Sequence, residues 1–118
     1  MDAKVFSWDA VEQDHPVAKL HRRIVNGEKA MVAKVELEAG CEVATHHHEM
    51  EQIACVMSGR VLWRLGEHGT ADYREVEVGG GQVVVLPSNV PHGVTAIEQT
   101  LIFDILSPPG AMGVDKQK

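Results

Sequence analysis

The chain has 118 residues, of which 11 are Lys or Arg and 17 are Asp or Glu, so its formal net charge at pH 7 is −6. This length suits one domain with one hydrophobic core. The acidic balance argues against nucleic-acid binding, which uses a basic surface. No apolar run approaches the roughly 20 residues that span a membrane, and the amino terminus lacks the apolar segment of a secretion signal, so we expect a cytoplasmic protein without a membrane partner.

Short apolar runs with period-two alternation follow one another along the chain. Residues 19–25 and 31–38 flank Asn26-Gly27, a dipeptide typical of tight hairpins. A short helix is predicted near residues 8–13. Further strands are predicted at residues 53–57, 60–65, 72–78, 82–86, 92–97 and 100–106. Many short strands separated by Gly and Pro turns indicate an all-β sandwich or barrel.

Seven of the residues are histidines, and His46, His47 and His48 are consecutive. On a strand, His46 and His48 project to one face and His47 to the other. The same parity places Met50 and Gln52 on the inner side. Two imidazoles and one oxygen donor make most of a mononuclear metal site.

A further ligand has to come from elsewhere in the chain, and His92 is the candidate. It follows the segment PSNVP (residues 87–91), whose two prolines restrict the backbone where one strand ends and the next begins. Two ordinary interpretations compete with a metal site. A lone histidine on a strand is usually solvated or part of the core, and a triple histidine can be an exposed loop with weak metal affinity.

These residues fall into two spaced motifs. The first consists of Gly40, His46, His48, Gln52 and Gly59, and the second of Gly81, Pro87 and His92. In order and spacing they resemble the two cupin motifs, and the resemblance covers about residues 34–106. It implies a cupin double-stranded β-helix, that is, a jelly-roll barrel, within a single domain over residues 1–118.

The resemblance also implies a division of the chain and a cofactor. Residues 1–30 would form N-terminal strands and a dimerisation segment, and residues 31–107 the barrel. The sequence of residues 108–118 itself predicts a mobile tail. One divalent transition metal per chain would be bound by His46, His48, Gln52 and His92. Its identity stays open among Fe, Mn, Ni, Zn and Co, since imidazole suits most of them.

Gln52 stands where most cupins have a glutamate. Glu49 and Glu51 are adjacent, but strand alternation turns them away from the barrel unless a bulge shifts the register. We therefore favour Gln52 as the ligand. Three neutral imidazoles and a neutral amide leave the full charge on the metal ion, which favours an anionic oxygen donor beside it. The amide also cannot act as a general base.

Asp104 is the candidate for that base and the predicted catalytic residue. It lies in an otherwise apolar strand, where an unpaired carboxylate is costly and usually has a partner or a function. A structural salt bridge, or a position on an edge strand facing water, is the alternative.

The segment FDILSPP, together with HxHxxxQ and NVPH, resembles small cupins of the pectin-degradation type, which convert unsaturated uronates to a linear ketonised form. In that family an aspartate of the last strand is followed by an aromatic residue and then by an arginine. Asp104 matches, Leu106 replaces the aromatic residue, and Gly110 stands at the arginine. A guanidinium is the natural anchor for a sugar-acid carboxylate.

Other residues could line the mouth of the barrel. Arg64 could replace the missing arginine if its strand turns that side chain inward, although a solvated arginine is the ordinary interpretation. The same strand also carries Arg60 and Trp63. Apolar pocket walls are expected from residues that include Val56, Val85 and Phe103.

These observations predict a metal-binding enzyme. The metal would polarise a small hydroxy-carbonyl or carboxylate substrate of sugar-acid type, and Asp104 would move a proton in a tautomerisation. One alternative is a non-haem metal-dependent dioxygenase, since three histidines with a weak fourth ligand also suit Fe(II). Another is a non-catalytic cupin that binds a small molecule. The barrel hosts all three functions, so the fold does not choose among them.

Overall fold

The computed structural model describes residues 2–116. Within that range the strands are β1 (Gln13–Asp14), β2 (Leu20–Asn26), β3 (Met31–Leu37), β4 (Glu42–His46), β5 (Glu51–Ser58), β6 (Arg60–Leu65), β7 (Arg74–Gly79), β8 (Val83–Leu86), β9 (His92–Ala96) and β10 (Thr100–Ser107). Two short 3₁₀ helices, Trp8–Ala10 and Val114–Lys116, lie at the two ends. None of the helices formed by these residues is long and apolar enough to cross a membrane.

The strands form two antiparallel sheets whose inner faces enclose the core. One sheet has six strands in the order β1-β2-β3-β10-β5-β8, and the other has four in the order β4-β9-β6-β7. The chain crosses repeatedly between the two sheets, as it does in a jelly roll. The predicted all-β cupin fold is confirmed.

The N-terminal region is more extended than the sequence predicts. The Asn26-Gly27 hairpin joins β2 to β3 as expected. The predicted helix near residues 8–13 is shortened to Trp8–Ala10, because the backbone is already extended at Val11. The Arg23 guanidinium binds the carbonyls of Trp8 and Val11 at 2.9 and 2.6 Å. The chain then adds β1 to the edge of β2.

Alternation along β10 places one carboxylate inside the barrel. Ile102, Asp104 and Leu106 point inward and are buried. Asp104 lies opposite Ala33 of β3 and Ala54 of β5, and both alanines are fully buried. These two small neighbours leave room for a polar side chain in the middle of the sheet.

Two of the expected pocket walls lie on the outside of the barrel. Val85 is 58% exposed, and Phe103 stacks against Trp8 with ring centroids 5.9 Å apart. The expectation for Val85 and Phe103 was wrong because a continuous apolar run does not reveal which parity faces the core. Val56 points inward and is buried, but it is not among the residues that line the cavity of the barrel.

The segment after β10 lies against the barrel, where the sequence predicts a mobile tail over residues 108–118. Met112 and Val114 are buried, and Asp115 pairs with Arg22 of β2. Apolar side chains at alternate positions give this segment surface to bury, which its Pro- and Gly-rich composition had obscured. Residues 117 and 118 lie outside the described part of the chain.

Candidate metal centre

Three histidines converge at one end of the barrel. His46 ends β4, His92 begins β9, and the two are direct partners in the antiparallel register. His48 lies in the connection to β5, beyond the end of the strand on which the sequence places it. One ligand atom from each of the three lies within 4.8 Å of the others. The tertiary structure thus brings together the three predicted histidines as a group that could hold a metal ion.

Backbone carbonyls orient all three imidazoles in the same way. In each case Nδ1 lies 2.9 Å from a carbonyl two residues away, that of Ala44 for His46, Met50 for His48 and Val90 for His92. A carbonyl only accepts, so in His48 and His92 Nδ1 carries the proton and Nε2 keeps its lone pair. His46 has a second backbone hydrogen bond, with Met112. The contact between Nδ1 and a carbonyl is typical of metal-binding histidines, because it fixes both the tautomer and the ring orientation.

Two of the imidazoles, those of His92 and His46, are also held in the neutral form. Burial, together with the neighbouring histidines, lowers the pKa of His92 to about 4, against an opposing hydrogen bond to Val90. Burial likewise lowers the pKa of His46. Neutral imidazole is the form that binds a metal ion, so these two side chains need not lose a proton to do so at neutral pH.

Two features of the group fit a cation. Nε2 of His92 is buried and has no hydrogen-bond partner among the described residues, an arrangement that costs about 1–3 kcal/mol when nothing satisfies it. Nε2 of His48 lies 3.1 Å from Oε1 of Gln52. With the His48 proton on Nδ1, both of these atoms are acceptors and repel each other. A divalent metal bound by both would remove the repulsion and satisfy His92.

Gln52 is itself held by Asp104. The amide Nε2 of Gln52 on β5 donates to Oδ1 of Asp104 on β10 at 2.9 Å, which turns the amide oxygen towards His48. Burial raises the pKa of Asp104 to about 7, although the hydrogen bond from Gln52 acts in the opposite direction. Glu49 and Glu51 are exposed, as the strand parity predicts.

Asp104 has neither of the ordinary roles considered for it from the sequence. It is 5% exposed, so it does not face water. Among residues 2–116 no Lys, Arg or His forms a salt bridge with it. A buried carboxyl whose hydrogen bond comes from a neutral amide is of the kind found at functional sites.

A cavity of about 50 Å³ adjoins this cluster inside the barrel, with room for a few water molecules. Its polar lining includes His46, Gln52, His92 and Asp104. Arg22 and Trp63 contribute further N–H groups, and the rest of the lining is apolar or glycine: Leu20, Val35, Leu37, Val43, Gly93, Val94, Ile102, Met112 and Val114. The cavity therefore offers a few polar groups in an apolar enclosure, as small-molecule sites do.

Arg22 is a candidate functional residue that sequence reasoning missed. It lies on β2 and is only 4% exposed. Asp14 accepts hydrogen bonds from its guanidinium at 2.7 and 3.0 Å, and Asp115 does so at 2.6 and 3.2 Å. The signal was the pair Arg22-Arg23 within an alternating strand, since one of two adjacent arginines has to face inward.

Arg64 does not enter the cavity. On β6 the inward position belongs to Trp63, which is 3% exposed, and Arg64 faces the other side, where it donates to Thr95 Oγ1 at 2.7 Å. Arg60 shares this outward parity and is exposed. Neither arginine therefore replaces the one absent at Gly110.

The comparisons with known proteins agree with this geometry. The family model of the cupin domain matches residues 33–106, and a search of curated proteins gave no match. The structure of KdgF from Halomonas sp. is 24% identical with a TM-score of 0.79, covering 91% of this chain and 96% of that one. An RmlC-like cupin from Shewanella frigidimarina is 21% identical with a TM-score of 0.78, covering 91% and 93%.

A third solved structure is that of a much longer protein. A single-site variant of the oxalate decarboxylase of Bacillus subtilis is 18% identical with a TM-score of 0.77, covering 90% of this chain but only 30% of that one. At these identities the structural similarities establish the fold alone. The family match spans more than half of the chain and includes all three histidines, so the chain belongs to the cupin family.

Proposed function

We propose that this cupin is an enzyme that binds one divalent metal through His46, His48, Gln52 and His92. Its substrate would be a small hydroxy-carbonyl or carboxylate compound of sugar-acid type, and its reaction a proton transfer. The proposal depends above all on one chain of contacts, in which His48 meets Gln52 at 3.1 Å and Gln52 meets Asp104 at 2.9 Å. The metal, when bound, supplies a Lewis acid that polarises the substrate oxygens.

The charge of the ligand set supports an oxygen-rich, anionic substrate. All four proposed donors are neutral, so they do not cancel the charge of a divalent ion. The buried acid Asp104 is linked to the set through Gln52. A carboxylate or enolate oxygen is therefore favoured beside the metal.

Asp104 is the proposed proton carrier. Burial raises its pKa to about 7, so both its acid and its base forms are populated near neutral pH, as general acid–base catalysis requires. Oδ1 accepts the amide hydrogen bond from Gln52, and we assign the proton transfer to Oδ2. Its position in the cavity lining next to Gln52 keeps the carboxyl close to a metal-bound substrate.

The substrate class rests on resemblance and on the neutral ligand set. The sequence motifs resemble those of the uronate-linearising cupins, and KdgF from Halomonas sp. aligns over 91% of the chain. The test is to incubate the metal-loaded protein with an unsaturated uronate, without oxygen, and to follow the loss of the ring double bond. We expect turnover that Asp104→Asn lowers by about 10²-fold or more.

Two controls make this test specific. Asp72→Asn changes an exposed aspartate and should leave turnover and metal content as they are. Asp104→Asn should keep about one metal per chain, so that loss of turnover reports on the carboxyl. Turnover that appears only when oxygen is admitted would instead favour the dioxygenase, and binding without turnover would favour a non-catalytic cupin.

We also propose that a second copy of this chain covers the outer face of the six-stranded sheet. The register aligns two apolar rows there, one of Val85, Ile53 and Ile105 and the other of Val83, Cys55 and Phe103. Val83 and Val85 are more than half exposed, as is Phe6 in the N-terminal segment. Large contiguous apolar patches are uncommon on monomers.

Light scattering tests the dimer. The native protein should have twice the chain mass of 12.9 kDa, and Val85→Lys should reduce it to one chain. Ile97→Lys is the matched control, because Ile97 is 49% exposed in the turn between β9 and β10, outside these rows. A native protein with the mass of one chain would contradict the proposal.

A further inference from the structure

The residues that follow β10 form part of the wall of the cavity. Residues 110–115, here called the C-terminal strap, include Met112 and Val114, which are buried and line the cavity together with His46. At Gly113 the backbone passes so close to the His46 ring that a Cβ would collide with it, and the positive φ of 85° also favours glycine there. The strap therefore lies directly against one of the proposed metal ligands.

The strap makes the cavity too small for the proposed substrate. A volume of about 50 Å³ holds a few water molecules, whereas a six-carbon sugar acid needs several times that space. Most of the other wall residues belong to strands that are tied into the sheets by ladder hydrogen bonds. Movement of the strap would open the site at the least cost in broken contacts.

One bidentate ion pair closes the strap onto the barrel. Oδ1 and Oδ2 of Asp115 accept hydrogen bonds from Nη2 and Nη1 of Arg22 at 2.6 and 3.2 Å. Asp115 remains about a third exposed, whereas Arg22 is 4% exposed and lines the cavity. Asp14 of β1 binds the Nε edge of the same guanidinium. An accessible carboxylate thus holds a buried cation that adjoins the site.

We propose that Arg22 binds a carboxylate group of the ligand, and that Asp115 occupies this position until the ligand displaces it together with the strap. A planar guanidinium recognises carboxylates by paired hydrogen bonds, and the Asp115 contact shows that this edge of Arg22 donates to a carboxylate in that way. The inference rests on the proposed function, for which it supplies the anchor that is absent at Gly110.

The experiment uses the metal-loaded full chain and two probes, D-galacturonate and the neutral sugar D-galactose. Calorimetric titration measures their binding, and hydrogen exchange measures protection of the strap. In Asp115→Asn we expect faster exchange in the strap without ligand. Suppose that the strap is closed in about nine of ten native molecules. Galacturonate should then bind this variant about tenfold more tightly than the native protein, since the competing carboxylate is gone.

Asp14→Asn is the matched control, because it removes the same charge from the same guanidinium but leaves the strap closed. Its strap should exchange as in the native protein. Arg22→Lys keeps the buried positive charge but not the paired donors, and it should lose the preference for galacturonate over galactose. Faster strap exchange on addition of galacturonate to the native protein would complete the expected pattern.

Three results would overturn the inference: equal binding of the two probes by Asp115→Asn, an unchanged preference in Arg22→Lys, or equal strap exchange in Asp115→Asn and Asp14→Asn. Metal content, measured on the same samples, separates this failure from that of the proposed function. A full metal complement without a galacturonate preference leaves the metal centre standing and removes the Arg22 assignment. Absence of metal removes the proposed function, while the exchange rates still decide whether Asp115 holds the strap.

Discussion

The amide of Gln52 on β5 donates to the carboxyl of Asp104 on β10 across 2.9 Å of the barrel interior. Because Nε2 is used in this bond, Oε1 is directed to His48. One hydrogen bond therefore joins the proposed metal ligand to the proposed proton carrier. It also accounts for a glutamine at a position where a second carboxylate would lie beside Asp104 and repel it.

The histidine cluster predicts that substitutions at His92 and His47 have opposite effects on metal content. His92→Ala should lose the metal, because it removes a buried imidazole whose Nε2 is otherwise without a partner in the described structure. His47→Ala should keep about one metal per chain, since His47 is exposed although it stands between His46 and His48. Elemental analysis of the purified proteins checks both. Equal metal content in the two variants would contradict the assignment.

Metal removal should destabilise the fold. Without an ion, the acceptors of His48 and Gln52 face each other at 3.1 Å, and an ion that binds only the folded state stabilises it by mass action. At a free metal concentration of about 100 Kd the gain is about 2.7 kcal/mol, or roughly 10 °C in the unfolding midpoint. Thermal scans with and without a chelator measure it. His92→Ala should be insensitive to the chelator, and an equal effect on both proteins would contradict the prediction.

Acid should release the strap. The hydrogen bond from Arg22 holds the pKa of Asp115 below its ordinary value of 3.8. Because the folded-state pKa is the lower one, the contact contributes fully above the ordinary value and is lost as the pH falls through the lowered pKa. Protection of the strap from hydrogen exchange, corrected for the intrinsic rate, should therefore persist in mild acid. It should be lost at lower pH, where Asp115 becomes protonated. In Asp115→Asn the protection should be low at every pH.

The alanines beside Asp104 should tolerate little enlargement. Ala54 is fully buried and pairs with Asp104 across the sheet, so Ala54→Val inserts methyl groups into a packed interior. We expect a loss of about 1–3 kcal/mol in the free energy of unfolding, measured with urea. Ala71→Val, at an exposed turn position, should change stability far less. A neutral result at Ala54 would mean that the interior around Asp104 is loosely packed.

The sequence by itself determined the strand pattern and most of the residues that meet at the site. Period-two alternation is a local property, so it located the strands and placed Gln52 inward with Glu49 and Glu51 outward. The spacing of His46 and His48 and the prolines before His92 are equally local. An isolated carboxylate in an apolar strand likewise singled out Asp104 before any contact was known.

The tertiary structure alone decided which side of several strands faces the cavity. Alternation is symmetric, so it could not distinguish Arg22 from Arg23 or Trp63 from Arg64; pairing between strands and closure of the barrel made that choice. The position of the strap against the barrel could be read from the sequence even less. Asp115 meets Arg22 across 93 residues of sequence, and an ion pair between such distant residues leaves no periodic trace in the chain because its spacing is set by the path of the fold.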